Sequence, residues 1–129
     1  MDGPSRRYHQ RFSCDIPLLI YPERGRDALG GGRLLDISMG GAAVASFLDL
    51  RRGSSYEFRP ESEDGRDKLR LFGVVVWQTG QARRGAELRY GLNFKLSGRQ
   101  EGLLKRFIDS IRMERPSKDE KISRDYWSV

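Results

Sequence analysis

Cysteine and histidine are nearly absent from this chain, which has one of each, Cys14 and His9. A single cysteine excludes a disulfide within the chain, and we expect Cys14 to be a buried, reduced thiol. No Cys, Asp or Glu stands at ligand spacing from His9, so the sequence predicts no zinc site. Nothing supplies the oxyanion hole or third member that a Cys14–His9 nucleophile and base would need. We therefore expect no metal site, no catalytic residue and no enzyme activity.

Long hydrophobic runs are also missing. No segment approaches the ~18 apolar residues that a membrane span needs, and no apolar stretch follows the polar N-terminal residues, so we expect neither a membrane span nor a secretory signal. These absences predict a cytoplasmic location. The 129 residues suit one domain. With 37% hydrophobic and 33% charged residues, the chain is polar but has the composition of a folded domain.

Acidic residues are outnumbered, because 24 Lys and Arg stand against 18 Asp and Glu, a net charge of +6. A basic balance favours anionic partners such as nucleic acid, nucleotides or acidic lipid headgroups, without choosing among them. The excess is concentrated in residues 1–12 and 81–91, which favours a defined site over a general coating. The arginines of these segments are Arg6, Arg7, Arg11, Arg83, Arg84 and Arg89.

Hydrophobic periodicity predicts a mostly β fold. Six segments of β-like pattern precede one segment in which apolar residues recur at helical spacing. The predicted strands are 11–21, 33–37, 42–47, 55–59, 69–79 and 87–95, and the helix is 103–111. Ser97 with Gln100 resembles a capping box at the start of the helix, and Pro116 would stop it. We predict a six-stranded antiparallel β-barrel with a C-terminal α-helix.

Several local predictions accompany this fold. Pro17 indicates an edge or bulged first strand, and the glycines at 30–32 place the end of a loop that begins at Glu23. The continuous apolar residues 74–77 predict that the centre of the fifth strand is buried on both faces. Trp77 in that run has two interpretations, a core residue or a surface ring that stacks on a base.

The chain divides into three parts by composition. Residues 1–10 are polar and arginine-rich and predict a flexible arm. Residues 11–114 carry the barrel and helix. Residues 115–129 are polar and predict a mobile tail, in which Tyr126 and Trp127 are candidates for docking on the barrel or on a partner.

Two short motifs carry candidate chemistry. Arg7 and Arg11 lie four residues apart in the arm, and arginine forks fit both phosphate oxygens and the guanine O6 and N7 edge. The alternative is a solvated arm. In the turn at residues 36–41, Asp36 can accept hydrogen bonds from guanine N1 and N2, while Ser38 offers a hydroxyl and a backbone N–H. Gly41, helped by Gly40, permits positive φ and close approach to a ligand. The alternative for this turn is a plain β-turn.

Taken in order, Arg7-Tyr-His-Gln-Arg11 and Asp36-Ile-Ser-Met-Gly-Gly41 resemble the signature of the PilZ domain, the bacterial receptor family for cyclic di-GMP. That signature is Arg-x-x-x-Arg followed some twenty to thirty residues later by Asp/Asn-x-Ser-x-x-Gly. The family's last strand and C-terminal helix resemble residues 90–94 and 103–111 here. The resemblance covers about residues 5–114.

The resemblance implies a role for each matching residue. Arg7 and Arg11 would bind the phosphates and a guanine edge, Asp36 and Ser38 would hold the second guanine edge, and Gly41 with Gly40 would leave room for the base. Arg6 would be an auxiliary contact. The arm would close over the ligand, at a cost in ordering entropy, and signal to a separate protein partner. The secondary candidates for the pocket are Trp77, Arg89, Gly91 and Asn93.

The resemblance implies no cofactor besides cyclic di-GMP as ligand, and either a monomer or a ligand-dependent dimer. Two alternatives remain open. One is a PilZ-like interaction module that does not use the ligand. The other is a small basic barrel that binds single-stranded nucleic acid, and the scarcity of surface aromatics and the clustered charge argue against it.

Overall fold

Six antiparallel strands close into a barrel and one helix follows them in the computed structural model, which describes residues 10–61, 69–80 and 85–114. Around the barrel the strands run in the order β1-β2-β3-β6-β5-β4. This confirms the predicted fold class. The elements are β1 (Phe12–Pro22), β2 (Gly30–Ile37), β3 (Gly41–Ser46), β4 (Ser55–Pro60), β5 (Leu71–Thr79), β6 (Leu88–Phe94) and α1 (Gly98–Glu114).

The barrel interior is filled by alternate residues of every strand, as expected when one face of a sheet is buried. The apolar face of α1 completes this core through Leu104, Ile108 and Ile111. Within the described segments no helix is long and apolar enough to cross a membrane. The fully buried side chains of the strands include Ile20, Leu34, Ile37, Val44, Phe58, Leu71, Val75 and Tyr90.

The first strand is bulged, as Pro17 indicated, because its register with β2 shifts between Ser13 and Ile16. It is not an edge strand in the closed barrel. Its pairing with β4 is nevertheless limited to Leu18–Pro22, so the first half of β1 has a strand neighbour on one side only.

The predicted loop at residues 23–32 is wrong at its end. Gly30, Gly31 and Gly32 belong to β2, where they pair with Ile20, Leu19 and Leu18. Turn composition was misleading here, because a strand ladder is made by backbone groups and a glycine keeps both of them.

The prediction that β5 is buried on both faces is also wrong. The register of β5 with β6 shifts between Val75 and Trp77, and this bulge leaves Val76 and Trp77 adjacent and 39% and 37% exposed. A bulge adds a residue to one strand and re-aims the side chains beside it. The continuous apolar run at residues 74–77 therefore belongs to a strand that has one face exposed to solvent.

The capping box is half formed. Ser97 Oγ accepts a hydrogen bond from the Gln100 N–H at 3.4 Å. The Gln100 side chain accepts from the Arg70 N–H at 3.3 Å instead of reaching back to the helix start. The N-cap thus also ties α1 to the chain before β5. Pro116 lies outside the described residues.

Candidate functional site on the outer face of the barrel

One row of strand partners crosses four strands on the outer face of the barrel. Asp36 of β2 pairs with Ala43 of β3, Ala43 pairs with Gly91 of β6, and Gly91 pairs with Trp77 of β5. Neighbouring strands lie about 4.8 Å apart, so the row spans roughly 14 Å along the sheet. A carboxylate and an aromatic ring stand at its two ends, and the floor between them consists of the two smallest residue types.

Asp36 is the polar end of this row. Its Oδ2 lies 3.9 Å from Arg11 Nη1, beyond hydrogen-bond distance, and the Arg11 side chain is 66% exposed. Its Oδ1 is buried and has no hydrogen-bond partner within the described segments. A buried acceptor without a donor is destabilising by about 1–3 kcal/mol. The site therefore holds a carboxylate with unused acceptor capacity beside a lightly engaged guanidinium.

Ser38 builds the turn that follows Asp36. Its Oγ accepts hydrogen bonds from the N–H groups of Gly40 at 3.2 Å and Gly41 at 3.1 Å. The same hydroxyl donates to the Gly41 carbonyl oxygen at 3.2 Å, and the Ser38 N–H donates to it at 2.9 Å. One donor and two lone pairs exhaust a hydroxyl's capacity. In this structure Ser38 is buried and acts as the turn residue of the plain β-turn alternative.

Gly41 is required by strand packing. A Cβ built there would stand 2.0 Å from the Leu92 carbonyl oxygen of β6, so any side chain would push β3 and β6 apart. The positive φ that Gly41 would permit is not used, since its backbone is not left-handed. The expected close approach exists, but it is made to the neighbouring strand. Gly40 links the turn to the end of β6, because its carbonyl oxygen accepts from the Phe94 N–H at 2.9 Å.

Trp77 lies on the barrel surface, and its interpretation as a core residue is wrong. A Cβ built at Gly91 would stand 2.0 Å from both Cε2 and Nε1 of the indole and 2.6 Å from Cδ1. The five-membered ring of Trp77 therefore occupies the space over Gly91 that a side chain would fill. With one side on the barrel and 37% of the residue exposed, the ring offers a surface on which a planar base can stack.

Arg89 and Asn93 flank Gly91 on the same outer face of β6, and both are exposed. Arg89 pairs across the strands with Ala45 and Thr79, while Asn93 pairs with Gly41 and Val74. Arg89 has no ion-pair partner among the residues that the structure describes. The secondary candidates predicted from sequence thus share one face with Asp36.

Other outer-face arginines are neutralised by carboxylates. Arg33 pairs with Asp15 at 3.3 Å and with Glu87 at 3.7 Å. Arg59 and Arg70 both contact the buried carboxylate of Glu57. The hydrogen bond that Arg59 donates to Glu57 raises the pKa of Arg59 above its ordinary value. Arg11, whose side chain is 66% exposed, and the exposed Arg89 are cationic groups that an anion can approach on this face.

Sequence reasoning missed Ala43, which supplies the floor between Asp36 and Gly91. The signal for it was present, because a hairpin closed at residues 38–41 places Ala43 opposite Asp36. Arg6 and Arg7 lie outside the described residues, as do residues 1–9 of the arm and the tail with Tyr126 and Trp127. Their predicted roles stay predictions.

No metal site is evident in the described segments, where no group of three or more His, Cys, Asp or Glu is positioned to hold an ion. The chemistry that this face offers is recognition: hydrogen-bond acceptance by a carboxylate, charge attraction by two arginines and stacking on an indole ring.

The fold defines a small closed-barrel domain with a polar recognition face. The sequence model of the PilZ domain matches residues 5–110, and the chain belongs to the PilZ domain family. No curated protein matches the chain significantly.

Solved structures share the fold. The PilZ domain of YcgR from Escherichia coli with cyclic di-GMP is similar with a TM-score of 0.68 and 19% identity, over 90% of this chain and 98% of that one. The PilZ domain of CeSA from a cellulose-synthesizing bacterium gives 0.58 and 22%, over 80% and 98%. A crystal structure of YcgR from Escherichia coli in complex with cyclic di-GMP gives 0.64 and 21%, over 91% of this chain and 50% of that one.

Proposed function

We propose that this protein is a bacterial second-messenger receptor that binds cyclic di-GMP on the outer face of its barrel. The observation that carries the proposal is the row Asp36–Ala43–Gly91–Trp77, with Arg11 at one end and Arg89 beside the other. Family membership and the cyclic di-GMP in the YcgR structures agree with it.

Each group on this face has a task in the proposal. The unused acceptor capacity of Asp36 receives the N1 and N2 donors of a guanine, while Arg11 binds a phosphate or the O6 and N7 edge. Trp77, whose ring lies over Gly91, stacks on a base, and the small side chain of Ala43 lets the ligand approach the sheet between the indole ring and Asp36. Arg89 supplies further positive charge and Asn93 a side-chain amide.

The arm and the turn complete the proposed site. Arg6 and Arg7 contact the ligand from the arm, whose closure carries a cost in conformational entropy. Ser38, Gly40 and Gly41 act by holding Asp36 in place through the turn. The protein is a receptor and not an enzyme, acts in the cytoplasm, and reports ligand binding to a separate protein.

Calorimetry with cyclic di-GMP tests the proposal. We expect saturable binding by the full chain, and Arg11→Ala and Asp36→Asn each to weaken it about 10- to 150-fold, since hydrogen bonds to charged groups contribute about 1.5–3 kcal/mol. Arg26→Ala and Asp27→Asn change exposed residues of the same types in the turn between β1 and β2, at the end of β2 away from Asp36, and serve as matched controls.

A second ligand sharpens the assignment of Asp36. Adenine lacks the N1–H and N2 donors, so cyclic di-AMP should bind much more weakly to the wild type, and Asp36→Asn should narrow that preference. Binding of single-stranded oligonucleotides with no heat from cyclic di-GMP would contradict the proposal and favour the nucleic-acid alternative. Unchanged affinity in Arg11→Ala and Asp36→Asn would contradict the site.

A further inference from the structure

Adjacent residues at the start of β1 face two different parts of the molecule. Arg11 reaches outward and lies 3.9 Å from Asp36. Phe12 is half-buried, packs against the core and pairs with Ile37. A movement of the backbone here therefore changes the outer recognition face and the interior packing together.

The helix α1 packs against this same part of β1. Its apolar face is buried in the core, and β1 is the strand that it contacts most extensively. In the last turn, the guanidinium of Arg112 lies over the Phe12 ring, 5.5 Å from the centroid, which is within the range of a cation–π interaction. Arg112 also lies 3.9 Å from Asp109.

The first half of β1 has strand support on one side only. Residues 12–17 pair with β2 alone, because pairing with β4 begins at Leu18. The helix α1 adds a contact to the start of this segment, through Arg112 over the Phe12 ring. A segment held by one ladder and one helix turn shifts more readily than a strand paired on both sides.

We propose that the Phe12–Arg112 contact couples the outer face at Arg11 and Asp36 to the last turn of α1. A ligand bound at Arg11 then stabilises that turn, and the last turn of α1 is the part of the surface that changes when the ligand binds. The inference rests on the proposed function for its ligand. A ligand bridging Arg11 and Asp36 fixes the backbone of residues 11–12, which fixes the Phe12 ring beneath Arg112. The coupling is reciprocal, so loss of the contact weakens ligand binding by the factor through which the ligand strengthens the contact.

Variants at the contact test this coupling on the full chain. An exposed cation–π pair contributes about 0.5–1 kcal/mol, so Arg112→Gln and Phe12→Leu should each raise the Kd for cyclic di-GMP about two- to fivefold. The double variant should be no worse than the weaker-binding single variant, since both remove one contact. Arg99→Gln, an exposed arginine in the first turn of α1, is the matched control and should bind like the wild type.

Hydrogen exchange gives the second measurement. Cyclic di-GMP should slow exchange of the amides of residues 109–114 in the wild type and in Arg99→Gln, and should leave them unchanged in Arg112→Gln. Circular dichroism and thermal unfolding establish that each variant is folded, and Phe12→Leu keeps an apolar side chain for that reason.

Three results would overturn the inference. If the wild type binds cyclic di-GMP in calorimetry but hydrogen exchange of residues 109–114 does not change, the coupling is contradicted and the proposed function is not. Losses that multiply in the double variant mean that Arg112 attracts the ligand directly by charge. Absence of cyclic di-GMP binding by the wild type overturns the proposed function, and this inference with it.

Discussion

A single missing methyl group at Gly91 allows Trp77 to lie against the barrel. The built Cβ would stand 2.0 Å from two indole atoms, far inside van der Waals contact, so a side chain there must expel the ring. If the Trp77 ring no longer packs on Gly91, it is not held in the position where a base can stack on it. The identity of one residue on β6 thus controls a residue on β5.

We expect Gly91→Ala to weaken cyclic di-GMP binding about 5- to 150-fold, because stacking of a base on an aromatic side chain contributes about 1–3 kcal/mol. Tryptophan emission and calorimetry measure the displacement and the affinity. Gly31→Ala is a matched control, since Gly31 is an exposed strand glycine whose Cβ would meet one atom, the Leu18 carbonyl oxygen, at an ordinary 3.4 Å. Wild-type affinity in Gly91→Ala would exclude Trp77 from the site.

At the scale of elements, the turn between β2 and β3 is organised by a hydroxyl and not by left-handed glycines. Ser38 Oγ serves two backbone N–H groups and one carbonyl oxygen within four residues. Asp36 lies one residue before the end of β2 and two residues before Ser38, so we expect the Ser38 network to support the backbone that carries its carboxylate. The motif residues divide into Asp36, which has capacity for a ligand, and Ser38, whose capacity is used.

We expect substitution of Ser38 to change mainly the stability of the fold, and substitution of Asp36 to change mainly the affinity for the ligand. Ser38→Ala leaves the N–H groups of Gly40 and Gly41 without an acceptor and should lower the free energy of unfolding by about 1–3 kcal/mol. Urea unfolding measures this, with Ser110→Ala on the exposed side of α1 as control. Asp36→Asn should lower ligand affinity without a comparable loss of stability. Unchanged stability in Ser38→Ala would show that the turn does not depend on the hydroxyl.

At the scale of the whole molecule, a buried phenol joins the barrel interior to the loop between β3 and β4. Tyr90 is fully buried; its hydroxyl donates to the Leu48 carbonyl oxygen at 2.6 Å and accepts from the Leu50 N–H at 3.0 Å. Burial raises the pKa of Tyr90 above its ordinary value of 10.0. The neutral phenol is therefore the form that the folded barrel holds.

This sign predicts loss of stability at alkaline pH. The unfolded chain ionises Tyr90 near pH 10 while the folded chain keeps the proton, so stability is full below that pH and falls as the pH rises toward the folded pKa, by up to about 1.4 kcal/mol per pH unit. Urea unfolding from pH 7 to 11 should show a shallower alkaline loss in Tyr90→Phe than in the wild type. Parallel pH profiles would contradict the prediction.

Local patterns in the sequence determined the strands, the helix and the motif residues. The alternation of apolar and polar residues along 87–95 and the helical spacing of apolar residues along 103–111 each arise because one face of that element is buried. Such a pattern can be seen within the sequence of the element itself. Together with the order and spacing of Arg7, Arg11, Asp36, Ser38 and Gly41, they indicated a PilZ-like barrel before any contact between elements was known.

Register and barrel closure decided the rest, because they join residues that no local pattern connects. Asp36 and Trp77 share one face of the barrel only because four strands pair in this register. The bulge at Val76 decided which face the Trp77 side chain lies on. The roles of Ser38 and Gly41 in turn and strand packing, and the contact of Phe12 with Arg112, likewise depend on close approach of distant segments. Such approach is fixed by packing of the whole barrel, which one-dimensional periodicity does not encode.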